Sequence, residues 1–341
     1  MMIGIVTHTK VVSHLITARR IMEAFNASRK GKMKVRLYDF EEPSIPERDI
    51  LYVGTVYGAS LSYLSRFLPE KRVVMYGTCE GFPIIDAEGV EKKISQQITI
   101  VPVSGFVKMC LETVGLATVD PVYHGIDMTQ TVTDRDFSAW IRKQMKGPIV
   151  LCVSGNTERK GLDRFIIACK LAFEKFSVEA PWFILHSGEG YVKIPNMIQD
   201  LDVRNLWYTN SFGMYSEEKM NSLYDLCSIL VQPSFCEGFG LPMIEAQRFN
   251  KPTVAVNAQP YNEIVEDGKT GRLIPVKGVE RLKYLDRFMF PLHTYSVNDL
   301  ADAIVDLLTN TEKMKGEMSS NIAVAKRQFE LSNYCKLLDF F

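Results

Sequence analysis

No uncharged apolar run in this 341-residue chain approaches the roughly 18 residues that a membrane-spanning helix needs. Paired cysteines are missing as well. The seven cysteines lie at 79, 110, 152, 169, 227, 236 and 335, an odd number with no C-x-x-C pair. That speaks against a disulfide framework or a zinc site and leads one to expect the scattered, reduced thiols of a cytoplasmic protein. Histidine is sparse, at 8, 14, 124, 186 and 293. No two of these have metal-ligand spacing, so no metal site is expected. Net charge is absent: 40 basic and 40 acidic side chains cancel, leaving no global field to gather nucleic acid. Met1–Val6 lacks the basic flank and small-residue cleavage site of a secretory signal, and is expected to be a first strand. No G-x-G-x-x-G follows that strand, which speaks against a dinucleotide-dependent oxidoreductase.

The remaining composition, 46% apolar and 23% charged, is that of a folded globular protein, and the length exceeds what one core usually serves. Short apolar or β-branched runs occur at Met2–Val6, Lys34–Tyr38, Ile50–Val53, Arg72–Met75 and Ile98–Val103. They alternate with helical patterns at Val11–Phe25, Ala59–Phe67 and Gly105–Val114, a rhythm that predicts a parallel sheet with helices on both faces. The rhythm fades in a polar stretch and restarts with Pro148–Val153, continuing through Ser228–Val231, Leu241–Phe249 and Thr253–Val256. The expected division is a first domain over 1–125, a linker over 126–147, a second domain over 148–310 and a final helix over 311–341 returning to the first domain. The fold class is therefore α/β, with two doubly wound domains facing a central cleft, where ligands bind beyond the carboxyl ends of the strands.

The segment after Ser228–Val231 has the richest chemistry: Gln232-Pro-Ser-Phe-Cys-Glu237-Gly-Phe-Gly-Leu-Pro-Met-Ile-Glu245. Pro233 ends the strand, Gly238 and Gly240 allow a sharp turn, and Pro242 suits the first turn of a helix. The N–H groups of such a turn suit an anion such as a pyrophosphate. A carboxylate at Glu245 can accept from the vicinal hydroxyls of a ribose, and one at Glu237 from a sugar hydroxyl. Two glutamates eight apart are common by chance in a chain with 40 acidic residues, and turn glycines are often structural. The whole string at a strand–helix junction is far more specific.

That string resembles the E-x7-E signature of the retaining GT-B glycosyltransferases, family four in particular (glycosyl transferases group 1). The similarity extends along most of the chain. Val103-Ser-Gly-Phe-Val-Lys, Tyr123-His-Gly-Ile-Asp127, Ser154-Gly-Asn-Thr-Glu-Arg-Lys160-Gly, Lys251-Pro-Thr-Val-Ala and Glu263-Ile-Val-Glu-Asp-Gly-Lys-Thr-Gly271 each resemble a family segment. The resemblance implies two Rossmann-like domains, a nucleotide-sugar donor of UDP or GDP type on the second, and an acceptor held mainly by the first. It implies retention without a covalent intermediate and without a metal or cofactor. By the same resemblance Glu237 and the backbone of Gly238, Phe239 and Gly240 meet the donor sugar. Leu241 sits at the diphosphate, Glu245 takes the ribose, and Lys160 with Arg159 neutralises the departing diphosphate. Phe212 to Met214 border the base. Glu237→Ala is expected to abolish transfer and leave the fold intact.

Three features depart from the family pattern. Asn156, counted among the donor-binding residues by the resemblance, stands where members usually have an arginine. The first loop, Thr7-His-Thr-Lys-Val-Val-Ser-His14, has no glycine. Tyr76-Gly-Thr-Cys-Glu80 stands where a first-domain histidine is usual. These differences bear mainly on the acceptor half and the transferred sugar; on the acceptor side His8, Lys10 and His14 are the candidate residues. His124 is expected to be a turn residue, and His186 to lie near the nucleotide or in a glycine turn.

The basic run Arg19, Arg20, Arg29, Lys30, Lys32, Lys34 and Arg36 suggests peripheral contact with an anionic membrane, or a solvated face. The long segment Val276–Thr294 is expected to be ordinary helix packing, the alternatives being a cap over the acceptor cleft or a contact with a partner. A non-catalytic nucleotide-sugar binder of the same fold is the alternative to a transferase. An epimerase would lack the signature loop, and a phosphorylase would be much longer.

Overall fold

The computed structural model describes residues 1–28, 33–42, 44–86, 89–176, 180–310 and 312–341. The first domain contains Met2–Thr7 (β1), Val12–Ser28 (α1), Lys34–Asp39 (β2), Asp49–Thr55 (β3), Gly58–Ser65 (α2), Arg72–Thr78 (β4), Phe82–Pro83 (β5), Val90–Ser95 (α3), Thr99–Pro102 (β6) and Gly105–Thr113 (α4). Next come Arg135–Gln144 (α5), Ile149–Val153 (β7), Leu162–Glu174 (α6), Trp182–His186 (β8), Ile194–Asp200 (α7), Leu206–Tyr208 (β9), Glu217–Leu226 (α8), Ile229–Gln232 (β10) and Leu241–Arg248 (α9). The chain ends with Thr253–Val256 (β11), Tyr261–Ile264 (α10), Gly271–Ile274 (β12), Gly278–Tyr284 (β13), Phe288–Thr294 (β14), Val297–Thr309 (α11) and Glu312–Ala325 (α12).

Two parallel sheets result, in the orders β2-β1-β3-β4-β6 and β12-β11-β10-β7-β8-β9. In the first, Ile5 of β1 lies opposite Leu37 on one side and Leu51 on the other. Ile3–Val6 and Ile149–Val153 are buried along their whole length, as strands covered by helices on both faces must be. Side-chain oxygens of Ser104, Asp134, Ser216 and Ser296 accept from backbone N–H groups at the starts of α4, α5, α8 and α11, which sets where these helices begin.

Two expectations change. The stretch expected to be a linker contains α5, docked on α8 of the second domain, where Ser138 Oγ donates to Ser222 Oγ at 2.9 Å. Only Ser138 and Ile141 of α5 are buried, so its apolar stripe was too thin to read. The segment expected to pack as a helix is instead an antiparallel hairpin, β13–β14, turning at Leu285 and Asp286 with φ of 49° and 52°. Phe288 and Phe290 share its buried face, a period of two and not of 3.6. β14 then pairs with β5 of the first domain, Phe288 opposite Pro83 and Met289 opposite Phe82, so the hairpin straps the two domains together.

After α12 the tail continues in tight 3-10 turns against α1, with Cys335 Sγ 3.7 Å from the carbonyl of Ala24. Among the described residues no helix is long and apolar enough to cross a membrane. Of the basic run, Arg29, Lys30 and Lys32 lie outside the described residues, and Arg20 points into the domain junction rather than to the surface.

His124 is not a simple turn residue. It is buried at the junction, with Nδ1 3.0 Å from the Tyr76 hydroxyl and 3.2 Å from that of Tyr334, and its ring lies edge-on to Phe239. Burial, aided by the charge of Arg20, lowers its pKa to about 3. A base whose folded pKa lies below its unfolded value binds its proton more readily in the unfolded chain, so folding weakens as the pH falls below about 6.5. His124→Phe should remove one proton's worth of that slope, roughly 1.4 kcal/mol per pH unit between about 6.5 and 3, measured by urea unfolding at several pH values.

Candidate active site

Three loops converge at the cleft. β10 runs into Pro233–Gly240 and then α9, and β7 runs into Ser154–Gly161 and then α6. Facing both, the first domain brings Thr78-Cys79-Glu80 from the end of β4. Gly161 has φ +61°, and a Cβ there would stand 2.4 Å from the carbonyl oxygen of Pro233. The lysine loop and the signature loop are thus packed backbone to backbone, with the Phe235 N–H donating to the Arg159 carbonyl at 2.8 Å. Gly240 turns the chain into α9 with φ +107°, a region L-residues seldom adopt.

Glu237 is the centre of this arrangement. Its Oε1 accepts from Lys160 Nζ at 2.5 Å, Ser234 Oγ at 2.8 Å and Gln232 Nε2 at 3.0 Å. Its Oε2 accepts from Arg159 Nη1 at 3.0 Å. Arg159 also donates to the Cys236 carbonyl at 3.0 Å and, across the cleft, to Glu80 Oε1 at 2.8 Å. Its guanidinium lies over the ring of Phe290 on the hairpin strap.

The cluster holds two cations and two carboxylates and is neutral. Burial alone would push the Glu237 carboxyl up, but Lys160 and Arg159 outweigh it and hold the pKa at about 2. Lys160 moves down instead, because burial and repulsion from Arg159 exceed the pull of a carboxylate it must share. Glu80 and Glu237 keep Arg159 charged despite its burial.

The other expected residues divide into those near this cluster and those turned elsewhere. Glu245 lies in the junction, with Oε1 accepting from Arg20 and Oε2 from Tyr224. Gly238 gives its carbonyl to Ser104 Oγ at 2.7 Å. The Phe239 side chain is buried against Tyr123, His124 and Phe329, which leaves its backbone as the part facing the turn. Leu241, half-buried, opens α9. Phe212 packs over Gly155 and Gly188 near His186, and Met214 is exposed at the rim.

Asn156 departs from its expected donor role. Its amide nitrogen donates to the carbonyls of Gly188 and Val192, and its oxygen accepts from the Val192 N–H, so the side chain builds the loop. In the first domain, His14 Nε2 lies 3.3 Å from Thr55 Oγ1, and its Nδ1 is buried without a partner. Burial lowers its pKa to about 4 against the opposing pull of Glu80. His8 stacks near Phe40, and Lys10 pairs with Glu41 at 3.5 Å on an exposed surface, so neither contributes to the charge cluster.

Sequence reasoning overlooked Glu80, Arg20, Tyr224 and Glu263 as site-building residues. Glu263 accepts from the N–H groups of Gly105 and Phe106 at 2.8 and 2.9 Å, so a second-domain carboxylate caps a first-domain helix. Glu80 ends the segment that replaces the expected histidine and Glu263 opens a family-like segment, whereas nothing local marked Tyr224.

Residues 134–289 match the family model described as Glycosyl transferases group 1. An uncharacterized glycosyltransferase of Sulfolobus islandicus rod-shaped virus 1 is 25% identical over 282 residues, 78% of this chain and 79% of the relative. An alpha-D-kanosaminyltransferase of Streptomyces kanamyceticus is 26% identical over 176 residues, 52% of this chain and 40% of the relative. Among solved structures, HepE of Anabaena in complex with UDP and glucose superposes with a TM-score of 0.72 at 15% identity, covering 99% of this chain and 98% of that one. Sucrose-phosphate synthase of Thermosynechococcus elongatus gives a TM-score of 0.73 at 16% identity, covering 99% and 97%. The fold is that of the GT-B glycosyltransferases, two Rossmann-like domains facing a cleft. Its second domain is similar in sequence to the group 1 glycosyl transferases over residues 134–289.

The expectation that Glu237→Ala leaves the fold intact does not survive the geometry. Removing the carboxylate leaves Lys160 without its counter-ion and Arg159 with Glu80 alone, and should destabilise the protein by about 3–5 kcal/mol. Glu237→Gln keeps the shape and the hydrogen-bonding oxygen and should lose less; chemical denaturation of the two variants side by side measures the difference.

Proposed function

We propose that this glycosyltransferase moves a sugar from a UDP- or GDP-type nucleotide-sugar to a hydroxyl of a glycan, lipid or small molecule, with retention at the anomeric carbon and without a metal. The observation that carries the reading is the buried cluster in which Lys160 and Arg159 share Glu237 at the junction of β10 and α9. The complexes of HepE with UDP and with UDP-glucose support the donor class by analogy of fold.

The chemistry asks for positive charge where a diphosphate departs and negative charge where an anomeric carbon becomes cationic. Electrostatic stabilisation of this kind is usually the largest catalytic contribution. As the bond between the anomeric carbon and the diphosphate oxygen breaks, the electron pair leaves with the diphosphate, toward Lys160 and Arg159. The acceptor oxygen bonds the same face of the anomeric carbon, and its proton passes to a diphosphate oxygen. Three donors already meet Glu237 Oε1 while Oε2 meets one, so Oε2 is the atom with room to accept from a sugar hydroxyl. Glu80 steadies Arg159 from the first domain, and a neutral His14 lies on the acceptor side.

Four measurements test the reading. UDP or GDP at 100 times its Kd should stabilise the protein by about 2.7 kcal/mol. Lys160→Ala should slow hydrolysis of UDP-glucose or GDP-mannose by roughly a hundredfold or more, in the range seen for loss of a preorganised charge-stabilising donor. Nucleotide binding with no donor turnover at all would instead favour a non-catalytic binder. An inverted anomeric product by NMR would overturn retention, and activity lost to a chelator would overturn metal independence.

A further inference from the structure

Glu245 is held from two sides. Tyr224, in its own domain, donates its hydroxyl to Oε2 at 2.8 Å, and Arg20 on α1 of the first domain donates Nη2 to Oε1 at 2.8 Å. Both members of the ion pair are largely buried, with side-chain exposures of 16% for Arg20 and 19% for Glu245. Nη1 of Arg20 is buried without an acceptor, so the Glu245 carboxylate anchors the guanidinium. The two residues are 225 positions apart and belong to opposite walls of the cleft.

An ionised carboxylate offers about four acceptor positions, two on each oxygen. Arg20 and Tyr224 take one on each oxygen and leave one on each. That remainder is what a vicinal diol requires: two adjacent hydroxyls, each donating to a different oxygen.

We propose that Arg20 is a positioning residue for the donor ribose, fixing the Glu245 carboxylate from the first domain so that its two remaining acceptor positions receive the 2′- and 3′-hydroxyls. The inference rests on the reading of Glu245 as the ribose carboxylate. Without Arg20, one oxygen would be held by Tyr224 and the other would be left to water, so the carboxylate plane would no longer be set. Nucleotide recognition by the second domain then depends on the first domain being seated against it. By reciprocity, a bound ribose strengthens the contact between the domains.

The test is equilibrium binding of the full chain to UDP and GDP and to their 2′,3′-dideoxy counterparts, comparing wild type with Arg20→Met and Arg20→Lys. For whichever base binds, wild type should favour the ribonucleotide about tenfold or more, the scale of a hydrogen bond to a charged group. Arg20→Met should weaken ribonucleotide binding about tenfold and leave the dideoxy ligand within about twofold, collapsing the preference. Arg20→Lys keeps the charge and one donor; it should retain the fold and part of the preference, and carries the test if Arg20→Met does not fold. Equal losses on both ligands would mean a structural role only, and tighter ribonucleotide binding would mean that Arg20 blocks the site; either overturns the inference and leaves the donor-site reading standing. A wild type that binds nucleotide without preferring ribose overturns the reading of Glu245, and this inference with it.

Discussion

One shared carboxylate holds the centre of this molecule together. Glu237 accepts from four side chains, two of them buried cations on the loop after β7, and that loop can approach only because Gly161 lies against the Pro233 carbonyl. A buried carboxylate unaccompanied by cations would take up a proton, and two adjacent buried cations without it would repel each other. The neutral cluster of Glu80, Arg159, Lys160 and Glu237 satisfies all four charges at once. It is also poised to exchange internal partners for a ligand's charges, since a diphosphate offers its cations a second anion.

The same cluster joins the domains. Arg159 reaches Glu80, Ser104 reaches the Gly238 carbonyl, Glu263 caps α4, Arg20 meets Glu245, and β14 adds itself to β5. Each contact links the first domain to the signature loop, to the lysine loop packed on it, to a helix beside it, or to the strap over it. The cleft is therefore a polar seam rather than an open gap, and the proposed donor site lies on surfaces that both domains shape.

Much of the fold was legible in the chain because local rules agree with the global one. Pro148–Val153 reads as a strand from its apolar run, and Leu241–Phe249 as a helix with Pro242 in its first turn. Where local signals were thin, the reading failed. Helix α5 buries only Ser138 and Ile141 and looked like a linker, and the hairpin carries Pro291 and scattered charges that masked its alternation. The candidate site divides in the same way. Glu237 stood out beside a turn glycine at a strand–helix junction, and Lys160 and Arg159 through the resemblance of their loop to a family segment, whereas Asn156 could not be known to turn inward toward Val192.

The chain by itself determined the two parallel sheets, the signature turn and the residue types of a donor site, because strand periodicity and turn chemistry act over a few residues. Only the tertiary structure decided who partners whom. Glu80 meets Arg159 across 79 positions and Arg20 meets Glu245 across 225. Pairings at such separations are set by how two domains pack, and no local pattern encodes them.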